Sequence, residues 1–345
     1  MEKVLLTGAS GFIGKHIALE LINQGYSVRA SVRNNDKALE VRNALEPFLQ
    51  DSESLDKKLS FVYLDLEDDT GWVEAMNGVD VLVHTASPFP IGSPKDENEL
   101  IRPAVNGTLR ALKVAHKSGV RRVILTSSIN AINGRELPED FEAFNETFWT
   151  DINHPAGSTT YTKSKTLAER AAWDFIKNEA SEIDLTTINP VLVLGAPLDE
   201  NFGSSISLVE RIFKGKDPML PNVAFSVVSV KDIARMHVDC IKIDATKNQR
   251  LIGSSGLLSF VEMAKLIKQR VPNKRISTLQ APNIIIRFLS LFDNDIKTIL
   301  PLLGDKTPVS ASKAQSMLNM QFISKDETIE ETVDFLLKLN NEKTK

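Results

Sequence analysis

Tyr161 and Lys165 stand four residues apart in YTKSK, a helix-patterned stretch of a chain with only three tyrosines. Positions i and i+4 share one face of a helix, so the two side chains would point to the same place. A free phenol, with a pKa of about 10, is a poor acid or base at neutral pH. A neighbouring ammonium favours the phenolate, and such a pair can relay a proton to or from a substrate oxygen. A solvated helix face would carry the same spacing. RRVILTSS, however, ends a predicted strand with Ser127 and Ser128, the latter 33 residues before Tyr161. A serine at the carboxyl edge of a sheet can hydrogen-bond the oxygen that Tyr161 would protonate.

A second group of residues points to a cofactor. TGASGFIG (7–14) follows an apolar run, KVLLT, and opens a helical pattern. Its Gly8, Gly11 and Gly14 are spaced GxxGxxG, of the same kind as the dinucleotide fingerprint GxGxxG but not identical to it. Gly8 would permit the tight turn, Gly11 the approach of the backbone to a pyrophosphate, and Gly14 close packing of the helix, whose N-terminus faces the anion. An NAD site would place an acid at the end of the second strand. That stretch reads ASVRNND, with Arg33 at the strand end. A guanidinium suits bidentate contact with a 2′-phosphate, and Lys37 could assist, so NADP(H) is expected rather than NAD. Asp65, in YLDL, would accept from the adenine amino group or cap the helix that follows.

Positioning these residues requires an α/β framework. Strand patterns at 3–7, 26–32, 61–66, 79–86, 121–128 and 184–195 alternate with helical patterns at 36–49, 70–76, 97–118 and 162–179. That alternation implies a doubly wound parallel sheet with ligands at the carboxyl ends of its strands. Beyond residue 195 Pro, Gly and Ser become frequent, and helical segments at 259–271, 283–303 and 328–340 are no longer paired with strands. The expected division is 1–195 for a dinucleotide-binding domain and 196–345 for a smaller, partly helical substrate lobe, with a segment near 226–240 returning to the first.

The bulk properties narrow the partners. Apolar content of 42%, charged content of 25% and a net charge of −4 describe an ordinary soluble chain, with no electrostatic reason to bind nucleic acid or an anionic membrane. The single cysteine, Cys240, excludes an intramolecular disulfide and a cluster of soft metal ligands, so no metal is expected. MEKVLLTGAS lacks the apolar core of a signal peptide, and NIIIRFLSLF (283–292) is too short to span a bilayer. A cytoplasmic location is expected, as a monomer or homodimer.

TGASGFIG, the strand ending HTASPF, PAVNGTL, TSS, YTKSK and LAERAAWDF together resemble the extended short-chain dehydrogenase/reductase family. The resemblance is to its branch of dihydroflavonol reductases, cinnamoyl-CoA reductases and NADPH-dependent ketone and aldehyde reductases. It covers residues 2 to about 240, and more loosely runs to 340. It implies a Rossmann-type domain and hydride transfer from NADPH to a ketone or aldehyde. Tyr161 would be the proton donor, Ser128 the catalytic serine with Ser127 the alternative, Lys165 the lysine that tunes the tyrosine, and Asn106 a support for a proton relay or a plain helix-face residue. Thr7, Gly8, Ser10, Gly11, Phe12, Ile13 and Gly14 would line the cofactor, together with Arg33, Lys37, Asp65, Leu66, Thr85, Ala86 and Ser87. Pro190, Val191, Leu192 and Val193 would form the turn under the nicotinamide carboxamide, and Ser205 a further phosphate contact. Phe89, Asn133 and Phe202 are the candidate substrate contacts, and Pro90, Ile91, Ile206, Met219 and Phe225 are apolar residues that either wall an apolar or aromatic substrate pocket or belong to the core. Two departures stand out: Asn130 replaces the usual glycine of flavonoid reductases, and the NWYCY-like motif of coenzyme A ester reductases is absent. The competing readings are a nucleotide-sugar epimerase or dehydratase holding NAD, a 3β-hydroxysteroid-type dehydrogenase, and a non-catalytic NADP(H) sensor. Arg33 argues against the first, and the retained Tyr161 and Lys165 against the last.

Overall fold

A computed structural model describes residues 1–49, 53–88, 96–292, 300–304 and 306–343. The strands are β1 (Lys3–Thr7), β2 (Ser27–Val32), β3 (Leu59–Tyr63), β4 (Val81–His84), β5 (Arg122–Thr126), β6 (Asp184–Pro190), β7 (Leu192–Leu194), β8 (Ala224–Ser229), β9 (Gln249–Gly253) and β10 (Gly256–Ser259). The helices are α1 (Phe12–Asn23), α2 (Asn35–Leu45), α3 (Glu53–Lys58), α4 (Trp72–Met76), α5 (Asn98–Lys117), α6 (Thr160–Glu179), α7 (Ser204–Phe213), α8 (Val230–Lys242), α9 (Phe260–Arg270), α10 (Asn283–Leu289), α11 (Ser312–Leu318) and α12 (Lys325–Lys343).

Seven strands form one parallel sheet in the order β3-β2-β1-β4-β5-β6-β9, a doubly wound Rossmann-type arrangement. The central strands are apolar runs buried on both faces, as a sheet covered on both sides requires. Side chains alternate between two cores. Val4, Leu6, Val83 and Ile124 pack with α1, α2 and α8, while Leu5, Leu82, Val123 and Leu125 pack with α4, α5 and α6. The reversal of strand order lies between β1 and β4, and opens a crevice at their carboxyl ends.

The strand pattern at 184–195 is two strands broken at Val191. β6 stays in the large sheet, whereas β7 begins a small sheet of order β10-β8-β7. That sheet, with α7, α9 and α12, encloses a core of its own around Phe213, Leu258, Met263 and Val333. The chain does not stay there: α8 packs on α1, and β9 adds the seventh strand beside β6. Arg122 fastens this return, bonding the carbonyls of Asp184 and Cys240 and the hydroxyl of Thr246. Cys240 is buried, and burial pushes its thiol up to about 12.

Of the 283–303 segment, the described part comprises α10 and a single 3₁₀ turn at Leu300–Leu302, with residues 293–299 outside the described residues. α10 buries Ile286 but exposes Ile284 and Phe288, and Leu291 and Phe292 beyond it are also exposed. Among the described residues no helix is long and apolar enough to cross a membrane.

Candidate active site

The crevice is a cavity of about 920 Å³ that begins at the β1–α1 turn and ends between β5, α6 and the small sheet. Gly8 turns with φ +71°, and a Cβ there would lie 2.7 Å from the Ala86 nitrogen, so only glycine lets the β1 and β4 loops meet. Gly14 is held more tightly: a Cβ would fall 2.1 Å from the Gly8 carbonyl oxygen. The close approach is therefore of α1 to the turn itself, rather than to the strand. Gly8, Ser10, Gly11, Phe12, Ile13 and Gly14 all line the cavity. The cradle fits a dinucleotide pyrophosphate: a backbone turn stripped of side chains stands at the start of a twelve-residue helix.

Thr7 lies beneath this turn, fully buried, and is not a lining residue. Its Oγ1 accepts the backbone N–H groups of Thr85 (3.1 Å) and Ala86 (3.2 Å), so its own proton goes to His84 Nδ1 at 2.8 Å. His84 must then be the Nε2–H tautomer. Burial, with Lys165 nearby, lowers its pKa to about 3 and keeps it neutral. Thr85, Ala86 and Ser87 face the cavity. Thr85 Oγ1 bonds Thr126 Oγ1 (3.0 Å), which bonds His237 Nε2 (2.7 Å), and His237 Nδ1 donates to the Ile233 carbonyl at 2.7 Å. This chain ties the β4 and β5 tips to α8.

At the far end Arg33, Asp65 and Leu66 line the cavity. Asp65 Oδ1 accepts the Glu67 N–H at 2.9 Å, and its carbonyl accepts from Trp72 Nε1 at 2.9 Å. Lys37 is not a lining residue, because its ammonium is drawn along α2 to Glu40. On the other wall stand Pro190, Val191, Leu192 and Val193, the link between the two sheets, and Ser205 in the first turn of α7.

Ser128, Tyr161 and Lys165 meet in the same cavity. Tyr161 and Lys165 lie one turn apart on α6, which Thr159 caps by accepting the Thr162 N–H at 3.2 Å. Lys165 Nζ is 5.8 Å from the Tyr161 ring centroid. Burial pushes the Tyr161 phenol above its usual range, opposed by a hydrogen bond with Ser128. Burial brings the Lys165 ammonium down to about 8. The phenol is thus a protonated acid near neutrality, not the depressed one that Lys165 alone would produce.

The two serines differ in what they bond. Ser127 donates to Glu169, whose carboxylate also receives Arg250 Nε (2.7 Å), Asn189 Nδ2 (2.7 Å) and Thr187 Oγ1 (3.1 Å). Its hydroxyl is committed to a buried ion pair, and Ser128 is the one that faces Tyr161. The guanidinium of Arg250 also stacks over Trp149, 3.8 Å from the ring centroid. Glu169 and Arg250 are 81 residues apart, and nothing local in the sequence marks them as partners.

Several expected residues lie off the lining or outside the described residues. Asn106 is exposed and absent from the lining, because α5 turns Leu100, Ala104, Gly107, Thr108 and Ala111 inward. Pro103 is the α5 residue that reaches the cavity. Phe202 packs edge-on against Phe335, 5.8 Å away, within the lobe core, where Ile206 is also fully buried. Phe89, Pro90 and Ile91 lie outside the described residues. Asn133 and Phe225 do line the cavity, as do Pro88, which lies within HTASPF, and Leu257, Leu302, Thr307 and Val309, which no motif singles out. Met219 is not among the lining residues. Among the described residues no cluster of His, Cys, Asp and Glu could hold a metal ion.

The model of the 3-beta hydroxysteroid dehydrogenase/isomerase family matches residues 5–253. Cinnamoyl-CoA reductase CAD2 of Medicago truncatula is 31% identical over 96% of this chain and 95% of its own. Ketoreductase azaE of Aspergillus niger is 32% identical over 85% and 90%. The crystal structure of yeast methylglyoxal/isovaleraldehyde reductase Gre2 complexed with NADPH superposes with a TM-score of 0.79 at 26% identity, covering 98% of this chain and 99% of that one.

Proposed function

The chain belongs to the 3-beta hydroxysteroid dehydrogenase/isomerase family and is an oxidoreductase, and on that footing we propose that it reduces the carbonyl of a ketone or aldehyde, with Tyr161 as proton donor. It uses NADP(H), the cofactor bound in the yeast reductase. The observation that carries the reading is the Ser128–Tyr161 hydrogen bond with Lys165 one turn away, in the cavity that opens at the glycine turn.

Bound NADPH would supply the hydride to the carbonyl carbon. The glycine turn and the N-terminus of α1 would hold the pyrophosphate, Arg33 the 2′-phosphate and Asp65 the adenine amino group. Lys37, held by Glu40, plays a lesser part than its charge suggests. Pro190, Val191, Leu192 and Val193, with Thr85, Ala86 and Ser87, would hold the nicotinamide, and Ser205 would add a phosphate contact. Ser128 donates to the carbonyl oxygen, and Tyr161 Oη passes it a proton as the carbon accepts the hydride. The Lys165 ammonium then offsets the charge of the phenolate left behind.

The charged lining residues Arg33, Asp65 and Glu67 gather at the adenosine end, and Lys165 is beside Tyr161. The rest of the lining includes the apolar residues Pro88, Phe225, Leu257, Leu302 and Val309, with Asn133 and Thr307 as polar groups. An uncharged, apolar or aromatic carbonyl compound fits this lining. The test is NADPH oxidation by the purified protein against aromatic aldehydes, 2-ketones, diketones and dihydroflavonols, with NADH and Tyr161→Phe alongside. The expected result is turnover that prefers NADPH and falls by about 10²–10⁴ in Tyr161→Phe. NADPH binding without turnover of any carbonyl would instead favour the sensor.

A further inference from the structure

We propose that Asn130 is a positioning residue that fixes the direction of the Ser128 hydroxyl, committing its proton to the oxygen it shares with Tyr161. The inference rests on the reductase reading above. Ser128 Oγ accepts two hydrogen bonds from Asn130, one from its backbone N–H (3.2 Å) and one from its side-chain Nδ2 (3.2 Å). A serine hydroxyl has two acceptor positions and one proton. With both acceptor positions filled, the proton is left for Tyr161, to which Ser128 is bonded.

The amide of Asn130 is itself held in one sense. Its Oδ1 accepts from Thr162 Oγ1 at 3.2 Å, and Thr162 Oγ1 accepts from Thr159 Oγ1 at 2.8 Å. Its carbonyl accepts from Thr150 Oγ1 (2.6 Å) and Thr166 Oγ1 (3.2 Å), which fixes the backbone. Donors and acceptors therefore run one way, from the cap of α6 through Thr162 and Asn130 to Ser128. A reversed amide would set Oδ1 against Ser128 Oγ and draw the serine proton away from the cavity. Glycine at 130 would leave only the backbone donor, and the second acceptor position of Ser128 open. Because Thr159 and Thr162 belong to the first turn of the helix that carries Tyr161, one network aligns both groups. The other titratable groups nearby leave the role to Asn130: Glu169 is committed to Ser127 and Arg250, His84 is buried and neutral, and Lys165 lies beside the ring.

The test compares Asn130→Ala with the isosteric Asn130→Asp, by steady-state kinetics from pH 5 to 9 and by ultraviolet difference titration of Tyr161. Subtracting Tyr161→Phe removes the signals of Tyr26 and Tyr63. In Asn130→Ala kcat is expected to fall about tenfold, the worth of one hydrogen bond, with the KM for NADPH unchanged and the Tyr161 midpoint raised. In Asn130→Asp an ionised carboxylate would take the Ser128 proton. That variant is expected to lose more, to raise the Tyr161 midpoint further, and to recover at acid pH, where the carboxylic acid can donate. A merely structural role would lower thermal stability in both without the acid recovery. A Tyr161 midpoint that is the same in wild type and both variants overturns the proposal, whether or not any carbonyl is turned over. Shifted midpoints in a protein that turns over no carbonyl with NADPH would support Asn130 and sink the reductase reading alone.

Discussion

Lys165 can offset a phenolate only while it carries a proton, and burial brings its pKa down to about 8. Carbonyl reduction should therefore hold steady below pH 8 and decline above it, as the ammonium is lost while the Tyr161 phenol, pushed up by burial, stays protonated. Lys165→Arg keeps its charge throughout this range. It is expected to abolish the alkaline decline at whatever reduced rate it supports, and a pH profile of kcat with saturating NADPH reads this directly. An unshifted decline in Lys165→Arg would assign it to another group. At this scale the sequence was most informative where chemistry sits in consecutive residues at a strand tip, as in TGASGFIG and TSS, because there the backbone alone sets the direction of the side chains. It misled where a helix decides that direction. PAVNGTL is a recognisable string, yet the inward spacing of Leu100, Ala104, Thr108 and Ala111 already turns Asn106 to solvent. Asn130 was visible only as a departure from a family pattern, since its partners Thr159 and Thr162 are remote in the chain.

Adjacent residues of α1 grip the segment that enters the lobe. The Lys15 ammonium, 1% exposed, bonds Glu40 of α2 at 2.6 Å and the carboxylate of Asp199. His16 bonds the Ala196 carbonyl, and burial lowers its pKa to about 3. This segment continues into Gly203, Ser204 and Ser205, which line the cavity. Asp199→Asn should therefore weaken NADPH binding by about tenfold, the value of one charge-assisted hydrogen bond, while changing the melting temperature little, because Glu40 still pairs with Lys15. Lys15→Met is expected to cost about 3 kcal/mol in urea unfolding, since it strands the Asp199 carboxylate, while Glu40 keeps Lys37. Calorimetric titration with NADPH separates the two effects, and an unchanged affinity in Asp199→Asn would show that the grip serves stability alone. The periodic helices and the first six strands were readable because each has its own apolar pattern. β9 (QRLIG) and β10 (GLLS) were not, because each offers only two adjacent apolar residues, too few to set a period.

Three histidines of the molecule, His16, His84 and His237, are buried with pKa values near 3, 3 and 4, lowered chiefly by burial. A histidine lowered in the folded state takes up its proton more readily when unfolded. Its contribution is complete above pH 6.5 and is lost as the pH falls toward the folded value. Stability should thus decline from pH 6.5 to about 4, by at most about 4 kcal/mol per pH unit for three protons. The carboxyls of buried Glu146 and Asp232 and of half-buried Asp239, raised chiefly by desolvation, act in the opposite sense and moderate the slope. Urea midpoints measured at pH 7.5, 6.0 and 5.0 test this, and His237→Gln should flatten the dependence. A midpoint constant over that range would mean that the histidines do not titrate on unfolding as described. The interrupted strand at Val191 has a different consequence, for recombination. Because the chain enters the small sheet at β7, leaves it after β8 for α8 and β9, and re-enters at β10, no single crossover can exchange the lobe built on that sheet for that of a relative. A transplant would need at least three junctions, one of them in the four residues proposed to support the nicotinamide. New specificities in this scaffold are therefore more accessible through point substitutions on the lobe's lining, at Phe225, Leu257 or Leu302, than through wholesale exchange.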